Sequence, residues 1–346
     1  MKQFLIVVLL FAFIAGCSEK KEPDEKNVSQ NPDTTGVLKT EKDNNPPKEV
    51  TLNYQLAKDD HIIYRLTTMS KSSQTLVSDT TLKQVITQNL TYTFNMDVVD
   101  VDSDKLMDIK ATVTNVVLDA DANGQKFNYR SGQKLDSLQR MRFMEYEAIL
   151  NNPFYFRLDP KGEITEIYRV DKIINKFLEL QNLQDSATTE IRKQLQFNIT
   201  DVALKPLLVQ IFRTLPKHTV AKDSSWTNKY KSQLAVFEIE NTAKYKIADF
   251  EKDDVSRYAV INAGLDIKAS GKNKVSERGV NYDFKNPQAQ ASGKIYFNLN
   301  RGLVEKSKTS TKLIMSMSMN MPQTPKGPMN ARRDDVIEST NIVELL

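Results

Sequence analysis

Four methionines, Met315, Met317, Met319 and Met321, recur at every second position near the C-terminus. Thioethers are soft donors suited to Cu(I). On a strand, residues i and i+2 stand about 6.7 Å apart, wider than one ion's ligand shell unless the chain bends. No Cys or His lies nearby to complete a site. The stripe therefore reads first as an adaptable apolar face, turned either to the core or to a lipid or apolar partner, with copper the remaining alternative. Asp119-Ala120-Asp121-Ala122-Asn123-Gly124 copies the first half of a calcium loop, with oxygen donors at alternating positions and then a glycine. A bidentate Glu should close such a loop at its twelfth position. Arg130 stands there instead, so a polar Asn-Gly hairpin turn is expected. Asp100, Asp102 and Asp104 alternate with no glycine after them and read as a solvated turn. No metal site and no cofactor is expected.

Nucleophilic chemistry finds little to work with. The chain holds one Cys and two His, which nearly excludes Cys-based zinc sites, Cys–His pairs and multi-disulfide frameworks. His61 and His218 stand near the starts of two similar segments and read as strand-edge or surface residues. G-x-S-x-G, H-E-x-x-H, P-loop and dinucleotide-binding patterns are all missing. Glycine is scarce, 11 residues where average usage would give roughly 24. A carboxylate pair concealed among 44 acidic residues leaves a hydrolase as the outside alternative. Lys and Arg number 48 against those 44 acids, a balance that gives no case for nucleic-acid binding. The reading is non-enzymatic.

Positioning these residues falls to a β-rich chain. Leu82, Ile86, Leu90, Tyr92, Phe94, Met96 and Val98 share one face of a long strand whose other face is mostly Lys, Thr, Asn and Asp. That is the mark of an antiparallel sheet with one wet side. Val50, Leu52, Tyr54 and Leu56 alternate in the same way. From Ile173 to Phe212 the apolar spacing turns helical, and Pro206 suits the first position of the last helix. Leu135, Leu138, Met141 and Tyr146 suggest one earlier helix. Trp226, the only tryptophan, falls at a strand start, to be buried at a sheet end or used in binding.

The β segments look duplicated. Leu56-Ala57-Lys58-Asp59-Asp60 matches Val220-Ala221-Lys222-Asp223-Ser224. Val98-Val99-Asp100 matches Ile247-Ala248-Asp249, and Tyr155-Phe156 with Gly162 matches Tyr296-Phe297 with Gly302. The expected fold is α+β and β-dominated: two related antiparallel meanders, of curved-sheet or half-barrel type, with a helical insert between them. Residues 50–169 would form the first half, 170–215 the insert and 216–346 the second half.

The N-terminus carries an address. Phe4 to Ile14 is an unbroken apolar run, about 16 Å long as a helix against a hydrocarbon core of about 30 Å. It suits a signal peptide, not a membrane anchor. Ile14-Ala15-Gly16-Cys17 then resembles the lipobox of bacterial lipoproteins, and it uses the chain's single Cys. That resemblance implies cleavage between Gly16 and Cys17, removal of residues 1–16, acylation of Cys17 and anchoring in the lipid bilayer. Ser18 in place of Asp at the next position points, by the same resemblance, to the outer membrane. Residues 17–49 are polar, charged and proline-bearing, and they read as a disordered tether.

Beyond the leader the chain resembles β-rich bacterial envelope lipoproteins of unassigned activity. The likeness rests on Leu215-Pro216 followed by Asp223-Ser224-Ser225-Trp226 and on the Met-rich final hairpin. A weaker likeness is to half-barrel lipoprotein carriers of the periplasm. The expectation is an envelope protein that binds an apolar ligand or a partner protein. A structural subunit of an outer-membrane complex is the alternative.

Overall fold

A computed structural model describes residues 35–277, 279–321 and 329–346. Gly16, Cys17 and the signal peptide lie outside the described residues. The first elements are a two-residue strand β1 (Glu41–Lys42), then β2 (His61–Val77), β3 (Thr81–Val101), β4 (Met107–Ala122) and β5 (Gln125–Arg130). Helices α1 (Ser137–Arg142) and α2 (Met144–Ile149) precede β6 (Phe154–Leu158) and β7 (Ile164–Tyr168). Three helices follow: α3 (Asp171–Leu180), α4 (Thr189–Phe197) and, through a wide π turn at Asn198–Leu204, α5 (Lys205–Ile211). The chain then returns to strands β8 (Ser225–Leu234), β9 (Phe237–Lys252), β10 (Arg257–Ser270), β11 (Lys274–Glu277) and β12 (Val280–Phe284). It ends with β13 (Gln288–Asn298), β14 (Leu303–Met321) and β15 (Met329–Leu345).

All these strands lie in one sheet, whose main order is β8–β9–β10–β13–β14–β15–β2–β3–β4–β6–β7. The ladders are antiparallel throughout, and β12 takes the place beside β14 where β13 ends. Strands β8 and β7 do not pair with each other, so the sheet is open. The long alternating patterns explain it. Each hairpin buries one face and wets the other, and no closure is needed to cover the apolar side where helices do so.

The two meanders share a turn in hydrogen-bonded detail. Asp59 and Asp223 both take a left-handed backbone, at φ 71° and 70°. The Asp59 N–H donates to Val98 O, and the Asp223 N–H donates to Ile247 O. Val98 N–H returns a bond to Asp60 O, as Ile247 N–H does to Ser224 O. By this correspondence β2, β3, β4, β6 and β7 match β8, β9, β10, β13 and β14. The counterpart of His61 is therefore Ser225, and His218 lies outside the repeat. Strand β15 has no counterpart. It is the seam, paired to β14 on one side and to β2 on the other.

Helices pack on β2, β4, β7 and β15, and their buried side chains join the main core. Phe212, just after α5, meets Tyr54, Tyr64 and Phe156 at ring-centroid distances of 5.4, 5.9 and 5.6 Å. Leu138 and Met141 share helix α1 but are exposed. A bulge shifts the register of β14 against β13. Val304 faces the core opposite Phe297, yet beyond the extra residue Glu305 the inward set becomes Ser307, Thr309 and the following odd positions. Without it Lys306 would point inward. It points outward instead, where Glu344 lies between it and Arg65 at 3.7 and 2.7 Å.

The tether expectation needs correction over residues 35–49. Strand β1 pairs with β9, and Leu38 packs on a small outer cluster of Tyr258, Val260 and Tyr296. Asp43 is buried and lies 3.3 Å from the Arg257 guanidinium. This segment attaches through main-chain pairing and ion pairs, which a count of apolar residues does not detect. Residues 50–56 likewise run extended across the base, with Val50 bridged to Val220 but without a long ladder.

Candidate functional site

The inward face of the sheet changes character from one meander to the other. Register sets one rung across it: Trp226 on β8, Tyr245, Ala263, Gly293 and Thr309, then Asn341 and Thr68. The next rung toward the hairpin tips is Ala243, Leu265, Ala291 and Thr311, and the one after brings Ile267, Ala289, Leu313 and Ile337 onto the same face. Beyond stand Met315 and Met317, with Phe284 beside Met317 and edge-on to Phe237 at 6.4 Å. On β2 and β3 the same face becomes mixed, with Ser70, Ser72, Gln74, Gln84 and Gln88 standing among Ile86, Leu76 and Leu82. Small or aliphatic side chains thus floor the second meander, and Ala243, Ala263, Leu265, Ile267, Ala289 and Leu313 are only half-buried.

Small side chains on a strand are a space-making choice, since large β-branched ones fill a pleated face better. At Gly293 the choice is forced: an added Cβ would stand 2.5 Å from the Thr309 methyl and 2.9 Å from Lys308 O. The floor between Tyr245 and Thr309 is therefore shallow by construction.

Arg213 reaches this floor from the segment after α5. Its main chain is held by Tyr54, whose hydroxyl accepts from the Arg213 N–H at 2.7 Å and donates to Arg213 O at 3.1 Å. One residue on, Thr214 O accepts from Trp226 Nε1 at 3.1 Å and Thr214 Oγ1 from Asn228 Nδ2 at 3.0 Å. Leu215 N–H donates to Lys161 O. Trp226 is also stacked on Tyr245, with centroids 5.4 Å apart. The Leu215-Pro216 and Ser225-Trp226 segments thus clamp one loop from both sides, which assigns the lone tryptophan a positioning role.

The guanidinium so presented is poorly compensated. Arg213 Nη2 donates weakly to Thr309 Oγ1 at 3.4 Å, and Nε is sealed from solvent with no hydrogen-bond partner. Burial pushes its pKa down, and the titratable groups acting on it are Tyr245, Tyr54 and Tyr230. Burial in turn raises the phenols of Tyr54, Tyr230 and Tyr245 above their ordinary value, so all three are neutral at pH 7 and none offsets the charge. Among the described residues, no carboxylate makes an ion pair with Arg213.

The residues singled out from sequence fall as follows. Met315, Met317, Met319 and Met321 all face inward and are half-buried, opposite Asp335, Arg333, Ala331 and Met329 on β15. Tyr282 flanks Met319 on the other side. A cavity of about 680 Å³ lies at this tip, with Val77, Tyr282, Met319 and Arg332 in its lining. The calcium half-loop is the β4–β5 turn: Arg130 Nη2 donates to both oxygens of Asp119, at 2.7 and 2.9 Å, and Asp121 accepts from Gly124 N–H. Asp102 accepts from the N–H groups of Asp104 and Leu106 and closes its own turn. His61 pairs with Asp97 at 2.8 Å, and His218 is exposed. Among the described residues, no cluster of three His, Cys, Asp or Glu is placed to hold a metal. Sequence reasoning missed Arg213 and its floor. The signal was present in Gln288-Ala-Gln-Ala-Ser-Gly293, which puts a small residue at every inward position.

Comparison with known proteins adds the family. A model described as a family of unknown function (DUF6263) matches residues 104–304. The chain belongs to that family. The DUF6263 match takes in Arg213, Trp226, Tyr245 and Gly293, and it runs from β4 through the helices to β13, leaving out β2, β3, β15 and nearly all of β14. No curated protein sequence matches the chain significantly. Among solved structures it is similar to one titled for lipid–protein interactions in lipovitellin, at 13% identity and a TM-score of 0.38. That match covers 85% of this chain and 25% of the lipovitellin chain, so the chain spans a quarter of that protein. Pseudomonas aeruginosa OccK2 (OpdF), solved in complex with glucuronate, is similar at 6% identity and a TM-score of 0.12, over 82% of this chain and 96% of that one. Neither likeness is close enough to carry a function across.

Proposed function

We propose that this protein is a non-enzymatic envelope lipoprotein, held to the bilayer through acylated Cys17, whose inward sheet face takes an apolar ligand. One observation carries the reading: the floor from Ala243 to Met317 is apolar, built from small and flexible side chains, and only half-buried. A face that merely needed packing would carry large aliphatics under a helix, as the β2, β4 and β7 region does. A contiguous apolar face that is incompletely covered favours a ligand or partner site. Methionine suits it because an unbranched thioether adapts to the shape of what it meets. Placement at the outer membrane rests on Ser18 after the lipobox-like Cys17.

The test is solvent extraction of the purified protein followed by mass spectrometry, with titration of a polarity-sensitive dye into the stripped protein. A stoichiometric amphiphile in the extract, and saturable dye binding that it displaces, are expected. An empty extract together with no dye binding would overturn the proposal.

A further inference from the structure

Building on the apolar-ligand reading, we infer that Arg213 is the anchor for an anionic head. The floor takes a long-chain carboxylate, with its head on the guanidinium and its chain along β13 and β14 toward Met317.

The geometry allows one orientation. On one side of Arg213 the face is closed, because Phe212, Tyr54 and Phe297 fill the base and are buried. On the other side the rungs of Leu265, Ala291, Leu313 and Met315 remain half-buried. From Thr309 to Met317 the strand covers about 27 Å, at about 3.4 Å per residue, enough for an extended acyl chain. Across the rung Ala263 and Gly293 carry only a methyl and a hydrogen, and the Thr309 methyl lies over Gly293, so the guanidinium meets a face of small groups.

Charge supplies the second argument. A cation partly withdrawn from water without a counter-charge is costly, and buried polar groups normally find partners. Arg213 is half-buried, with a sealed Nε without a partner, a long contact from Nη2, and an Nη1 that makes no hydrogen bond among the described residues. Yet Tyr54, Trp226 and Asn228 hold its loop in place. A planar guanidinium with free donors matches a carboxylate in a two-pronged contact. A neutral ligand would leave the charge as uncompensated as it stands.

Two probes separate the anchor from the floor: cis-parinaric acid and its methyl ester, titrated by fluorescence into the purified protein, Arg213→Met and Arg213→Lys. Wild type should bind the acid at least about tenfold tighter than the ester. Arg213→Met should bring the acid down to the ester's affinity and leave the ester unchanged, with Arg213→Lys in between. Unliganded Arg213→Met should melt at or above the wild-type temperature, because it removes an uncompensated charge; a merely structural arginine would lower it. Equal binding of acid and ester by wild type, or an acid preference that survives in Arg213→Met, would overturn the anchor and leave the apolar floor standing. Failure of both probes to bind would overturn the floor and the anchor together.

Discussion

Replacing Tyr54 with Phe tests how the Arg213 loop is held. Tyr54 is 2% exposed, and its ring lies edge-on to Phe212 and Phe297 at 5.4 and 5.7 Å. Phe keeps those contacts. What it removes is the hydroxyl that pairs both the N–H and the C=O of Arg213, at 2.7 and 3.1 Å. Leaving a buried polar group unpaired costs about 1–3 kcal/mol; for two peptide groups at a partly buried site the expected loss is about 2–3 kcal/mol. A folded region of about 300 residues unfolds with an entropy near 0.6 kcal/mol/K, so the melting temperature should fall by roughly 3–5 °C. Thermal and urea unfolding of Tyr54→Phe against wild type, followed by circular dichroism, measures it. The urea slope should be unchanged, since the buried surface is the same. A melting temperature within about 1 °C of wild type would refute the claim that this hydroxyl holds the loop.

Cys17→Ser should abolish palmitate incorporation and processing, and label entering the mutant as in wild type would sink the lipoprotein reading. Deleting residues 35–49 should lower the melting temperature measurably, because β1, Leu38 and the Asp43–Arg257 pair are lost with them; an unchanged melting temperature would restore the tether reading for that stretch. Burial raises the phenols of Tyr54, Tyr64 and Tyr92, and it pushes Tyr146 up to about 12. In the unfolded chain these groups ionise near pH 10. Stability is therefore fully present below pH 10 and should fall as pH rises toward 12, by about 1.4 kcal/mol per pH unit for each such tyrosine; a flat profile of urea midpoints over that range would contradict it. Replacing Met317 and Met319 with Leu should cost under about 1.5 kcal/mol per site, and neither wild type nor the double mutant should bind Cu(I) in a competitive titration.

Much of the architecture was legible because its causes are local. The Leu82–Val98 alternation, the Asn123-Gly124 turn and the paired Asp59 and Asp223 turns each depend on residues within a few positions of one another, and the structure shows all three. Arg130 in the twelfth position likewise pointed to a polar Asn-Gly hairpin turn, and that turn joins β4 to β5, with Arg130 paired to Asp119 across it. The inward facing of the methionines was legible only as an alternation. Which way the alternation points depends on the Glu305 bulge, and a single extra residue reverses a strand.

From its residues alone, this protein's strand-rich character, repeated meanders, helical insert and lipobox-like leader could be read, since periodicity and turn chemistry are written within short windows. Only the tertiary structure joined the two meanders through β15 into one sheet and attached residues 35–49 by main-chain pairing. It alone brought Arg213, Thr309, Gly293 and Tyr245 to one rung from four segments of the chain. Register between distant strands and the position of a bulge are settled by which faces must leave water together, and no window of sequence contains both partners of that choice.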